Sequence, residues 1–178
     1  ANLTWNSNII LCMSLSKLGL PGLRTGIVVA NNEIITAIGR VNGSMVLSPN
    51  AIGPSLVTRL INEGELLPLC KNTVLPFYKN KAEIAINLFD EIFADLPVYL
   101  HKLEGAFFMW LWFKDSKITS EMLYQKLKEQ DVYIIPGHNF FIGIEDSWEH
   151  KHQCVRINYA NDEATLRKGL EAIKALIM

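Results

Sequence analysis

Two short apolar runs, Ile9-Ile10-Leu11-Cys12-Met13 and Ile27-Val28-Val29-Ala30, bracket residues 14–26, Ser-Leu-Ser-Lys-Leu-Gly-Leu-Pro-Gly-Leu-Arg-Thr-Gly. Continuous apolar runs of this length read as buried strands, here over residues 8–13 and 24–30. The stretch between them is rich in glycine and proline, so it has to turn tightly. Whatever else the chain does, it must hold Ser14, Ser16, Lys17 and Arg24 in one strand-to-strand connection.

Those four side chains share a chemistry. A lysine held between buried strands loses solvation, which disfavours the ammonium and leaves an amine that attacks carbonyls. Arg24 presents a planar fork that suits a phosphate, and the Ser14 and Ser16 hydroxyls are short donors to the same group. A carbonyl-reactive amine beside a phosphate site points to pyridoxal 5'-phosphate, which carries one aldehyde and one phosphate. The competing reading is a solvated loop lysine, and Ser16 reads equally well as a turn residue bonded to its own backbone.

Length and charge narrow the classes. At 178 residues the chain has enough length for one sizeable core or two small ones. A net charge of −1 without a Lys/Arg block argues against nucleic acid as partner. No apolar run approaches a membrane span, which needs about 20 residues. Cys12, Cys70 and Cys154 are widely spaced and odd in number, and read as free thiols in a reducing, cytoplasmic setting. The chain opens without Met and almost directly into a strand, so it reads as a fragment of a longer protein.

Along the chain, Asn31-Asn32-Glu33 offers a helix cap, with Ile34, Ile38 and Val41 at helical spacing after it. Ser48-Pro49 reads as a second helix start with proline in the first position, and Gly64 as its stop. Residues 66–94 read as one long helix, kinked early by Pro68 and Pro76 and ended by Leu96-Pro97. Beyond it come strands at 98–102, 107–113, 132–135 and 154–159. A helix capped by Thr119 and a final helix capped by Asn161 or Asp162 complete this part, which suggests one sheet covered by helices.

Several residues here are candidates for chemistry. Arg156, flanked by Val155 and Ile157 in a strand, must face away from both. It is either a solvated strand arginine or, in a cleft, a bidentate partner for a carboxylate. Pro136-Gly137-His138-Asn139 is a turn whose glycine permits close backbone approach. Phe107, Phe108, Trp110 and Trp112 read as core and interface packing, since the strand lacks the basic residues of a base-stacking platform. His150-x-His152-x-Cys154 has the look of metal ligands, but no matching Cys/His pair stands nearby, so no metal is expected. Gly19-Leu20-Pro21-Gly22 matches the GxxG of an RNA-binding KH loop, without the basic helix that would support it.

Taken together, residues 14–26, Glu104–Phe113, Ile134–Phe141 and His152–Tyr159 resemble, in this order, the C-terminal part of fold-type I pyridoxal-phosphate aminotransferases, the valine–pyruvate group most of all. Many members of the family carry one more residue between the lysine and the arginine. The resemblance implies an α/β fold: a remnant of a three-layer large domain over 1–95, ending in a long linking helix, and a small α+β sandwich domain over 96–178. It implies Lys17 as the cofactor lysine and general base, and Ser14, Ser16 and Arg24 as phosphate ligands. Arg156 becomes the substrate-carboxylate arginine, and the turn at Pro136–Asn139 a border of the substrate pocket. The implied reaction moves an amino group between valine or alanine and a 2-oxo acid such as pyruvate. The implied assembly is a homodimer, with no nucleic-acid or membrane partner. The aromatic, Asp, Asn and Gly-rich loop that complete the family's site have no counterpart here, so the chain alone is expected to be inactive or nearly so. The alternative is a folded, non-catalytic fragment or interaction module.

Overall fold

The computed structural model describes residues 6–17, 21–144 and 146–178. They form two compact units, Ala1–Leu75 and Pro76–Met178. No described helix is long and apolar enough to cross a membrane.

In the first unit, β1 (Leu11–Ser14) and β2 (Gly26–Val29) pair antiparallel, with Leu11 opposite Val29 and Ser14 opposite Gly26. The connection turns twice as short 3-10 helices, Leu15–Lys17 and Pro21–Leu23. Both strands start later than the apolar runs suggest, and neither is buried: Met13 is 42% and Val29 38% exposed. A ribbon of two four-residue strands has two faces and few neighbours to cover them. Among the described residues of the unit, Leu15, Gly53 and Val57 are buried.

Helix α1 (Asn32–Met45) is capped by Asn31, whose side chain accepts the Ile34 N–H. The expected start at Ser48-Pro49 moves to α2 (Ile52–Asn62), because Asn50 Oδ1 accepts the Ile52 N–H. The expected single helix over 66–94 is three segments: α3 (Leu66–Leu69), a π-helical stretch (Cys70–Val74) and α4 (Leu75–Phe93). Pro76 explains the interruption. It has no N–H to continue the ladder and its ring crowds the carbonyl four residues back, so the helix widens just before it.

The second unit is a four-stranded antiparallel sheet, ordered β3 (Val98–Leu100), β4 (Phe108–Phe113), β6 (Cys154–Asn158) and β5 (Ile135–Pro136). α4, α5 (Ser120–Lys128) and α6 (Glu163–Ile177) supply the helical part of its core. Met109, Leu111, Val155, Leu123, Leu127 and Leu170 are each at most 1% exposed. Thr119 caps α5 through the Met122 N–H, and Asp162 caps α6 through the Thr165 N–H. β5 is shorter than expected and contains Pro136. It lies at the sheet edge, where a residue without an N–H disturbs no second neighbour.

Candidate functional site

Three of the five sequence candidates meet in the first unit. Ser14 ends β1, and its Oγ accepts the Ser16 N–H at 3.2 Å. Arg24 Nη1 donates to Ser16 Oγ at 3.4 Å. Lys17 closes the 3-10 turn Leu15–Lys17; its side chain lies outside the described part of the structure, as do residues 18–20. Ser16 therefore links the other two, through its N–H to Ser14 and through its hydroxyl to Arg24, and the turn it belongs to carries the lysine backbone.

The backbone at Arg24 is held against its own preference. Its φ is +45°, a left-handed conformation that costs a non-glycine residue about 1–2 kcal/mol. The surrounding bonds explain why it persists. The Leu23 carbonyl accepts from Thr25 Oγ1 and from Asn50 Nδ2, both at 2.8 Å, and the Leu15 N–H donates to the Thr25 carbonyl at 3.1 Å. The start of α2 presses on the same loop: a Cβ on Gly53 would fall 1.9 Å from Thr25 Oγ1 and 3.1 Å from the Leu23 carbonyl oxygen. Strain maintained by so many contacts is characteristic of ligand-binding positions. Among the described residues no carboxylate pairs with Arg24. An unneutralised guanidinium beside the Ser16 hydroxyl is suited to an anion.

The fifth candidate, Arg156, stands on β6 in the second unit. As the alternation requires, Val155 and Ile157 enter the core and Arg156 takes the other face. Its Cζ lies 4.3 Å over the Phe108 ring centroid and 4.6 Å over that of Phe140. Among the described residues no carboxylate pairs with it. Trp110, directly opposite Arg156 in the β4–β6 register, makes near-perpendicular ring contacts with Phe140 and Phe141, with centroids 5.3 Å and 6.0 Å apart.

This arrangement corrects the core part of one expectation for three of its four aromatics, while Phe107 does pack against the core. Phe108, Trp110 and Trp112 do not enter the core; they alternate with the buried Met109, Leu111 and Phe113 and share the outer face with Arg156. Every residue from Phe108 to Phe113 is apolar, so the sequence puts Phe108, Trp110 and Trp112 on one face without saying which face is buried. Trp112 Nε1 donates to Gln153 Oε1 at 3.1 Å, and its ring meets His150 at 4.9 Å.

His150 Nε2 lies 3.4 Å from Cys154 Sγ, while the His138 and His152 rings stack at 5.6 Å. Burial pushes the Cys154 thiol up to about 11, far from a nucleophile's range, outweighing a Trp110 hydrogen bond that acts the other way. The three cysteines are free, and the described residues contain no group of three or more side chains placed to hold a metal ion.

Known proteins match the chain along nearly its whole length. The family model for aminotransferase class I and II matches residues 1–173, and the chain belongs to that family. Valine–pyruvate aminotransferase of Escherichia coli (strain K12) is 46% identical over 169 residues, which is 95% of this chain and 40% of that protein. The solved valine–pyruvate aminotransferase of Salmonella typhimurium LT2 superposes with a TM-score of 0.92 at 44% identity, covering 99% of this chain and 46% of that one. A structure from Psychrobacter arcticum 273-4, assigned to the amino-acid aminotransferases, gives 0.94 at 40% identity over 99% of this chain and 41% of its own. The fold is that of fold-type I aminotransferases over this stretch. The chain spans between 31% and 40% of the length of three curated relatives it matches.

Proposed function

We propose that this chain carries the lysine, phosphate-binding and carboxylate-binding residues of a pyridoxal-phosphate aminotransferase that exchanges the amino group of valine or alanine with a 2-oxo acid such as pyruvate. The observation that carries the reading is the cradle of Ser14, Ser16 and Arg24, with its strained arginine and, among the described residues, no carboxylate to neutralise it. These residues fit a phosphate group by chemistry and by charge. The match to valine–pyruvate aminotransferases supports the choice of substrates.

In this reading Arg24 and the two hydroxyls hold the cofactor phosphate. Lys17 Nζ binds the cofactor aldehyde at rest, and once freed moves the proton at the substrate Cα. Arg156 binds the substrate carboxylate by its planar edge, leaving the reacting carbon oriented. When bound, the cofactor supplies an electron sink for the pair left at Cα. We assign 1–95 to the cofactor-binding part and 96–178 to the small domain, and place the parent protein in the cytoplasm as a homodimer.

The other reading is a folded piece without cofactor, inactive alone and inclined to associate. It is favoured by α1, none of whose residues is buried although Ile35, Ile38, Val41 and Met45 are apolar. One experiment separates the two. The chain is mixed with pyridoxal phosphate, reduced with borohydride and mapped by mass spectrometry. A stoichiometric adduct at Lys17, lost in Arg24→Ala, supports the cofactor site; scattered or absent labelling supports the piece without cofactor.

A further inference from the structure

The geometry points to Phe108 and Phe140 as positioning residues that hold the Arg156 guanidinium ready for a carboxylate. The inference rests on the reading of Arg156 as the carboxylate-binding residue and adds what keeps that residue in place. Arg156 is half-buried on the outer face of the sheet, where a cation without a counter-ion normally needs compensation. Two ring faces provide it, at 4.3 Å and 4.6 Å from Cζ. Such contacts stabilise the charge through the ring quadrupole and consume none of the N–H donors. No hydrogen bond from the guanidinium to another described side chain is present. The donors are thus left for a planar, two-oxygen acceptor, and the rings restrict the rotamers the arginine would otherwise sample. Less ordering then remains to be done when a ligand binds.

The two rings reach Arg156 by different routes. Phe108 lies on β4 opposite Asn158, one diagonal step from Arg156 on the same face. Phe140 comes from the 3-10 turn Gly137–Phe140, which sits against β6 because Gly137 has no side chain. Phe140 is itself 41% exposed, so its burial contributes little to the core. It is kept over the arginine by a near-perpendicular ring contact with Trp110.

The test is side-chain NMR on the chain labelled with 15N-arginine, titrated with pyruvate as the carboxylate probe. The Arg156 Nε–Hε signal is expected at a ring-current-shifted position, and it should move on pyruvate addition. Phe140→Leu and Phe108→Leu should return it toward the free-arginine position and weaken pyruvate binding by about five- to tenfold each. Phe140→Tyr, which keeps the ring face, should preserve both shift and affinity. A general loss of folding would instead disturb the other arginine signals as well. If both leucine variants bind pyruvate within twofold of the unmodified chain while Arg156→Ala does not bind, the positioning role is overturned and the carboxylate role stands. If pyruvate never moves the Arg156 signal, or Arg156→Ala binds as well as the parent, the carboxylate role itself falls, and the positioning role with it.

Discussion

Gly137 lies directly against Cys154: a Cβ built on the glycine would stand 2.6 Å from the Cys154 carbonyl oxygen and 2.7 Å from Cys154 Cβ. Neither atom belongs to a side chain free to swing away. This close approach lets the turn at 137–140 ride on β6, and it carries Phe140 to Arg156.

Gly137→Ala is therefore expected to destabilise the fold by about 1–3 kcal/mol, the usual range for overpacking. It should also shift the Arg156 NMR signal. Urea denaturation measures the first effect. A midpoint equal to that of the unmodified chain would show that the turn relaxes without cost.

Replacing Arg24 separates strain from charge. Arg24→Ala keeps the left-handed backbone with a Cβ in place, so the strain stays and the Ser16 contact is lost. Arg24→Gly removes about 1–2 kcal/mol of strain, while the freedom it gives the unfolded chain costs about 0.4–1 kcal/mol, so it should be the more stable of the two variants by up to about 1 kcal/mol. Both variants should lose labelling of Lys17 by pyridoxal phosphate. Equal stability of the glycine and alanine variants in urea would argue against stored strain at this position.

Gly53→Ala should push Thr25 from its bond to the Leu23 carbonyl, because the new methyl would meet Thr25 Oγ1 at 1.9 Å. The consequence is a looser Arg24 loop and weaker cofactor labelling. Adding Thr25→Ala should restore part of the labelling, since it removes the nearest clash. Undiminished labelling in Gly53→Ala alone would show that the loop does not depend on this contact.

The Cys154 thiol gives a base-side signature. Its pKa in the fold is raised from 9.0 to about 11 by burial. The folded state keeps a proton that the unfolded chain gives up, so the associated stability is complete below about pH 9 and is lost progressively toward 11. Cys154→Ala should flatten that part of the stability profile. In native alkylation followed by mass spectrometry, the exposed Cys12 should be modified before the fully buried Cys154.

Asp162 gives the acid-side counterpart. Its carboxylate accepts the Thr165 N–H at 2.9 Å and the Thr165 hydroxyl at 2.7 Å, which holds its pKa below the ordinary 3.8. The stability it adds is present above about pH 3.8 and is lost as pH falls through the lowered value. Asp162→Asn keeps an N-cap acceptor but should remove this acid dependence, as read from thermal melts between pH 2 and pH 5, a window of about one to two units on either side of that pKa.

Local sequence determined much of this protein. The caps at Asn31, Thr119 and Asp162, the strand alternation around Arg156 and the turn segment at 14–26 are short-range features, written in neighbouring residues. The family was legible for the same reason, because its motifs are contiguous. Tertiary structure decided the rest. It left β1 and β2 exposed. It turned Phe108 and Trp110 away from the core and placed Phe140 over Arg156 from a distant turn. Amphipathic spacing says which residues share a face, but only the packing of other segments decides what that face meets.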